Sequence, residues 1–234
     1  MVVFPGGSEA DAVIFDFDGI IVDTEPLHYQ AFQQVLDPLG LGFSWQEYVD
    51  TYMGFDDRDA FIEAFAVRGK TLAPTELHSL IEKKALCFQH IIRTGVSAYP
   101  GVIDLIRKLH NAGIPLAISS GALLCDITPI LSILSLADCF KVIITADDVA
   151  KSKPDPECYR RAFEQLSLHR PALALSPLSP GRTIAIEDTP AGITSAKGAG
   201  LQVIAVTNSY PRDLVSDATR IVTSLEELID FHLG

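Results

Sequence analysis

The feature that most constrains this chain is a short apolar run, Ala12-Val-Ile-Phe, that ends abruptly in Asp16-Phe-Asp-Gly. Consecutive rather than alternate residues are apolar, so a strand built from them is buried on both faces, as in a parallel sheet. Similar runs recur at 115–119, 141–145, 182–186 and 202–206. Helical patterns lie between them: Val102-Ile-Asp-Leu-Ile-Arg-Lys-Leu, then 123–134, 157–166 and 191–199, with apolar residues three and four apart. Buried strands alternating with amphipathic helices require crossover connections, which predicts an α/β fold with a Rossmann-like parallel-sheet core. A ligand of such a sheet is expected beyond the carboxyl ends of the strands.

One stretch breaks the alternation. Residues 25–95 carry helical periodicity and no strand pattern, as in Ala31-Phe-Gln-Gln-Val-Leu and Leu77-His-Ser-Leu-Ile-Glu-Lys-Lys-Ala-Leu. This predicts an all-helical cap over 25–95, inserted into a catalytic core made of 1–24 and 96–234. Because the insertion leaves the chain just after the first strand, it is expected to act as a lid on the ligand site. The 168–181 stretch, with Pro171, Pro177 and Pro180, reads as a long surface connection.

Composition excludes several function classes. Thirty acidic residues against eighteen basic ones give a formal charge of −12, which repels a polyphosphate backbone and argues against DNA or RNA as a partner. Cys87, Cys125, Cys139 and Cys158 are far apart and match no metal-binding spacing, so they read as core or surface thiols. The first residues lack a basic segment followed by a long apolar one, and no run of about 18 apolar residues occurs later. A cytoplasmic protein without a membrane partner, and a monomer, is expected.

Chemistry concentrates at the predicted strand ends. Asp16 and Asp18 leave a buried strand two residues apart, and Gly19 permits the tight turn after them. Acidic residues also simply terminate strands, but a second cluster, Glu187-Asp188-Thr-Pro-Ala-Gly, ends another buried run. Parallel strands end on the same side, so Asp16, Asp18 and Asp188 can converge, and clustered hard oxygens suit Mg2+ sharing a phosphate. Ile118-Ser-Ser-Gly-Ala offers hydroxyls and amides before a helix start, a setting that favours anions, although Ser and Gly there also serve as caps. Lys151-Ser-Lys-Pro-Asp-Pro lies beyond the next strand, with prolines stiffening the loop that holds Lys153.

These four segments, in this order, resemble the four motifs of the haloacid dehalogenase superfamily. The insertion point is similar to that of its α-helical-cap group, which includes phosphoglycolate phosphatases, sugar-phosphate phosphatases, CbbY-type bisphosphatases and β-phosphoglucomutases. The resemblance implies that Asp16 attacks phosphorus to form an aspartyl-phosphate, and that Asp18 protonates the leaving alcohol and then takes a proton from water. It implies Mg2+ held by Asp16, Asp188 and the Asp18 carbonyl, with Glu187 nearby or joined through water. Ser119, Ser120 and Gly121 would bind the phosphate oxygens, and Lys153 would offset the charge shared by nucleophile and phosphate. The sequence departs from the common pattern at Ser152, where Gly is frequent, and at Gly121-Ala122.

Substrate choice is expected from the cap, where His28, Arg58 and Lys84 fall near positions that resemble family substrate contacts; each is also a residue type that packs on or solvates a helix. The expected activity is a Mg2+-dependent phosphatase of a small phosphorylated metabolite, a sugar phosphate or a phosphoglycolate-like compound. The alternative is a β-phosphoglucomutase-like mutase. A receiver-type module phosphorylated on Asp16 is disfavoured, since it needs neither a 70-residue insertion nor Asp18.

Overall fold

Residues 1–53, 55–169 and 177–234 are described by the computed structural model. They form two compact units, Thr24–Val96 and a second made of Met1–Asp23 with Ser97–Gly234. The chain leaves the second unit and returns to it at neighbouring points, where the Asp23 N–H donates to the Ser97 carbonyl at 3.2 Å.

The Thr24–Val96 unit is helical. Helix α1 (Glu25–Leu36) opens with Pro26 in its first turn, where the missing N–H has no intrahelical partner to lose. Helix α2 (Trp45–Glu47) starts at a capping box: the Ser44 hydroxyl accepts from Glu47 N–H and the Glu47 carboxylate accepts from Ser44 N–H. It runs on into a π-helical turn at Tyr48–Tyr52. Helix α3 (Asp57–Val67) is capped by the Asp56 carboxylate, which accepts from Asp59 N–H at 2.8 Å, and α4 (Pro74–Ile92) again begins on proline. Their apolar faces meet in one core that includes Phe32, Leu36, Phe43, Phe61, Phe65 and Leu80. Each such side chain contributes roughly 1.5–3 kcal/mol on burial, which lets a unit of this size hold together.

In the other unit the apolar runs form the strands of a parallel sheet. Strands β1 (Val2–Val3), β2 (Glu9–Ala10) and β9 (His232–Leu233) make a small antiparallel sheet that joins the termini. Strands β3 (Ala12–Phe15), β4 (Leu116–Ser119), β5 (Val142–Ile144), β6 (Thr183–Glu187), β7 (Gln202–Val206) and β8 (Arg220–Val222) form a six-stranded sheet in the order β5-β4-β3-β6-β7-β8, parallel at every pairing. Helices α5 (Val102–Asn111), α6 (Leu124–Ile133), α7 (Glu157–Leu168) and α8 (Pro190–Gly198) cross between strands. The core thus has the expected Rossmann-like architecture. Sequence reading does not anticipate β8 or the small sheet, because two- and three-residue strands are too short to show a period.

Of the expected 168–181 connection, residues 170–176, with Pro171, lie outside the described residues, and Pro180–Arg182 forms a 3-10 turn leading into β6. All four cysteines are free thiols; Cys139 and Cys158 are buried. No helix among the described residues is long and apolar enough to cross a membrane.

Candidate active site

Strand register assembles the site. Phe15 on the central strand β3 pairs with Ile118 on one side and Ile186 on the other, so the next residues, Asp16, Ser119 and Glu187, emerge level with one another. The Asp16 N–H donates to the Ile186 carbonyl at 2.9 Å, continuing the ladder one residue past the strand. Acceptor oxygens of Asp16, Glu187 and Asp188, all buried, lie within 4.8 Å of one another.

Lys153 binds this cluster from the turn before α7. Its ammonium donates to Asp16 Oδ1 at 2.7 Å, Glu187 Oε1 at 2.6 Å and the Ser119 carbonyl at 3.0 Å. Burial opposes the ammonium's charge, but the two carboxylates outweigh it and raise its pKa. The carboxylates outnumber the ammonium. Burial first, then the Glu187 charge, pushes the Asp16 pKa up to about 7 against the pull of Lys153, and burial with the Glu187 and Asp16 charges raises that of Asp188 well above the carboxylate range.

Asp188 Oδ2 accepts from the Ser209 hydroxyl, in the loop after β7, while its Oδ1 is buried with no hydrogen-bond partner among the described residues. An orphaned buried carboxylate oxygen is costly, and a divalent cation with oxygen preference would relieve both it and the excess negative charge. The residues therefore fit Mg2+. Glu187 is less open to a ligand: Oε1 accepts from Lys153 and from the Tyr159 hydroxyl (2.9 Å), and Oε2 from the amides of Asp188 and Thr189 and the Thr189 hydroxyl at 3.1–3.2 Å.

The first loop is shaped around Asp188. Gly19 has φ +81°, and a Cβ there would come within 1.9 Å of Asp188 Oδ2, so both conformation and space require glycine. Asn208 Nδ2 donates to the Gly19 carbonyl at 2.6 Å, tying the β7 loop to this turn. Asp18, partly exposed, is on the same turn, and its charge adds to the rise in the Asp16 pKa.

The serine loop differs from expectation in detail. Ser119 is still within β4, and its fully buried hydroxyl turns to Cys158 Sγ on α7, 2.9 Å away; its carbonyl, not its hydroxyl, reaches Lys153. Ser120, one residue on, presents its side chain to the loop, where Oγ accepts from Ala122 N–H at 2.9 Å, and Gly121 is exposed beside it. Period-two alternation along the strand gives adjacent serines opposite faces. Sequence reasoning missed Tyr159, Ser209 and Asn208; Tyr159 is in the first turn of the helix that follows the Lys153 loop, but nothing in the local pattern of the β7 loop signals the other two.

Within the helical unit His28 and Lys84 are brought together. Lys84, 1 % exposed, contacts His28 Nδ1 at 2.7 Å and donates to Asp57 Oδ1 at 2.6 Å, with its ammonium 5.0 and 5.3 Å from the Phe32 and Phe88 ring centres. The His28 ring stacks on Phe88 at 4.2 Å, and burial, then the Lys84 charge, holds its pKa well below the usual value. Arg58 is exposed in the first turn of α3, one residue past Asp57; Gly54, before that helix, lies outside the described residues.

Residues 13–206 match the family model described as haloacid dehalogenase-like hydrolase. The chain is 28% identical over 195 residues to the phosphorylated carbohydrates phosphatase of Thermotoga maritima, covering 83% of each chain. It is 29% identical over 220 residues to the β-phosphoglucomutase of Bacillus subtilis, covering 91% of each. Among solved structures, a CbbY variant from Rhodobacter sphaeroides in complex with xylulose 1,5-bisphosphate superposes with a TM-score of 0.81 at 27% identity, covering 93% of this chain and 96% of that one.

Proposed function

This chain belongs to the haloacid dehalogenase-like hydrolases, and on that premise we propose that it is a Mg2+-dependent phosphatase of sugar phosphates that works through an aspartyl-phosphate on Asp16. The observation that carries the reading is the pair of buried carboxylates, Asp16 held by Lys153 and Asp188 with an orphaned Oδ1, at the carboxyl ends of adjacent parallel strands. Asp16, Asp188 and the Asp18 carbonyl would hold the ion, with Glu187 behind them. When bound, Mg2+ supplies the positive charge that lets a phosphate dianion approach these carboxylates.

The chain's own groups account for both half-reactions. A carboxylate oxygen of Asp16 forms a bond to phosphorus as the ester P–O bond breaks, and Asp18 gives its proton to the departing alkoxide. Asp18, now ionised, takes a proton from water, whose oxygen then attacks the aspartyl-phosphate and returns Asp16 and inorganic phosphate. Lys153 neutralises charge on Asp16 and on the transferring phosphoryl group, while Ser120 and the amides around Gly121 bind its outer oxygens. Xylulose 1,5-bisphosphate in the CbbY complex and the phosphorylated carbohydrates of the Thermotoga relative favour a sugar phosphate over a phosphoglycolate-like substrate. We assign selection among sugars to the helical unit.

A second reading, a phosphosugar mutase, is favoured by the Bacillus β-phosphoglucomutase relative. Both reactions use the same two aspartates and differ in whether water or a sugar hydroxyl reaches the aspartyl-phosphate. The deciding experiment incubates purified protein and Mg2+ with β-glucose 1-phosphate, a trace of glucose 1,6-bisphosphate and, separately, a panel of sugar phosphates, followed by phosphorus NMR. Inorganic phosphate is the expected product. Glucose 6-phosphate accumulating with little inorganic phosphate would establish the mutase instead, and no turnover of any ester would reject both.

A further inference from the structure

The phosphatase reading uses Lys153 as a single positive charge shared between two carboxylates, and the structure holds a third group that bears on that sharing. Tyr159, in the first turn of α7, is fully buried. Its hydroxyl donates to Glu187 Oε1 at 2.9 Å, the same oxygen that Lys153 meets at 2.6 Å, and the Lys153 ammonium is 4.8 Å from the Tyr159 ring centre. We propose that Tyr159 is a positioning residue that apportions the Lys153 ammonium between Glu187 and the nucleophile Asp16.

Buried acceptors compete for one ammonium. Three hydrogen-bond acceptors, Asp16 Oδ1, Glu187 Oε1 and the Ser119 carbonyl, use the three N–H bonds of the ammonium, and the aromatic face of Tyr159 lies against it as a further, weaker attraction. Glu187 cannot relax the contest by turning. Its Oε2 is fixed by three donors from Asp188 and Thr189, and a Cβ on Gly192 would come within 1.8 Å of Oε1, so the carboxylate is packed against the start of α8. With its orientation fixed, what remains adjustable is how strongly Oε1 attracts the ammonium. A second donor on that oxygen draws off part of its charge, as hydrogen bonds in a buried network polarise one another, and leaves more of the ammonium to Asp16.

The phenol suits this role because it stays a neutral donor. Burial, then the Glu187 and Asp16 charges, raises its pKa well above the usual value, so the proton remains on the oxygen throughout the working pH range. The consequence for the proposed reaction lies in the chemical step. If Glu187 takes a larger share of Lys153, the transferring phosphoryl group loses positive charge it would otherwise meet in the transition state, whereas ground-state binding of the sugar is largely untouched.

The test is Tyr159→Phe, which keeps the ring and removes only the donor. Steady-state kinetics on the best sugar phosphate from the panel should show kcat reduced about 5- to 20-fold with KM within twofold. In a Glu187→Gln background the same change should cost less than twofold, because a neutral amide no longer competes for Lys153. Tyr159→Met, which also removes the aromatic face, should lower kcat further and serves as the second variant if Tyr159→Phe is poorly folded. Thermal unfolding of the unliganded variants supplies the readout that needs no activity: the Tm shifts of Tyr159→Phe and Glu187→Gln should be non-additive. Wild-type protein inactive on every ester would reject the phosphatase reading, yet non-additive Tm shifts would still support the linkage. An unchanged kcat in Tyr159→Phe, equal losses with Glu187 and Gln at position 187, or KM rising in step with falling kcat would overturn the proposal.

Discussion

Asp16 and His28 are buried ionisable groups whose contributions to stability run in opposite directions with pH. Asp16 has its folded pKa raised to about 7, so metal-free protein is favoured at low pH and loses this contribution as pH rises through about 7. His28 has its folded pKa lowered, so its contribution is present above the ordinary histidine value and is lost on acidification below about 6.5. Chelated protein followed by thermal unfolding should therefore lose a few kcal/mol of stability between about pH 4 and pH 7 through Asp16, at about 1.4 kcal/mol per pH unit. Asp16→Asn should flatten that slope, and His28→Gln should flatten the loss on the acid side. The same Asp16→Asn change removes the proposed nucleophile, and phosphate release with Mg2+ should fall by about three decades or more. Activity that persists undiminished would exclude the covalent route. Asp16 and Asp188 were legible in the sequence because a charge at the end of a fully apolar run needs a reason; Tyr159 was not, because an aromatic residue in a helix reads equally well as core.

Among the elements, the turn from β6 into α8 supplies two of the site's carboxylates, Glu187 and Asp188. Thr189 caps α8 by accepting from Gly192 N–H at 3.0 Å, and the same hydroxyl donates to Glu187, so one residue starts the helix and fixes a carboxylate. Gly192→Ala forces a methyl into the Glu187 carboxylate and should lower stability by about 1–3 kcal/mol, measurable by urea unfolding; a neutral result would mean that the carboxylate can move aside. The loop after β7 acts on the opposite side of Asp188. Ser209→Ala should weaken Mg2+ binding roughly 10-fold in titration calorimetry, because the serine fixes Oδ2 and thereby aims the orphaned Oδ1. An unchanged affinity would show that Asp188 is oriented by its backbone alone. This loop was invisible in the sequence because a hydrogen bond between residues 21 positions apart leaves no periodic trace.

Across the molecule, two basic residues of the helical unit test whether chemistry and substrate choice are carried by different parts of the chain. Lys84 is committed to Asp57 and His28, so Lys84→Ala should cost about 3–5 kcal/mol by leaving a carboxylate without its partner, and should reduce activity on every substrate through loss of folded protein. Arg58 is exposed, so Arg58→Ala should fold normally and raise KM for a sugar phosphate about 10-fold while leaving an aryl phosphate within twofold. Equal losses on both substrates would remove Arg58 from substrate selection. The features legible in the sequence are local in origin. Unbroken apolar runs specified doubly buried strands and hence a parallel sheet, helical periodicity over 25–95 signalled helices in that stretch, and carboxylates at run ends marked where charge would gather. Which distant residues share a partner depends on the assembled fold. Strand order put β3 between β4 and β6, the face of β4 sent the Ser119 hydroxyl to Cys158, and packing buried Lys84 against Asp57. Periodicity records whether a side chain faces inward, whereas the identity of its partner is set by how crossovers and helix packing close the core around it.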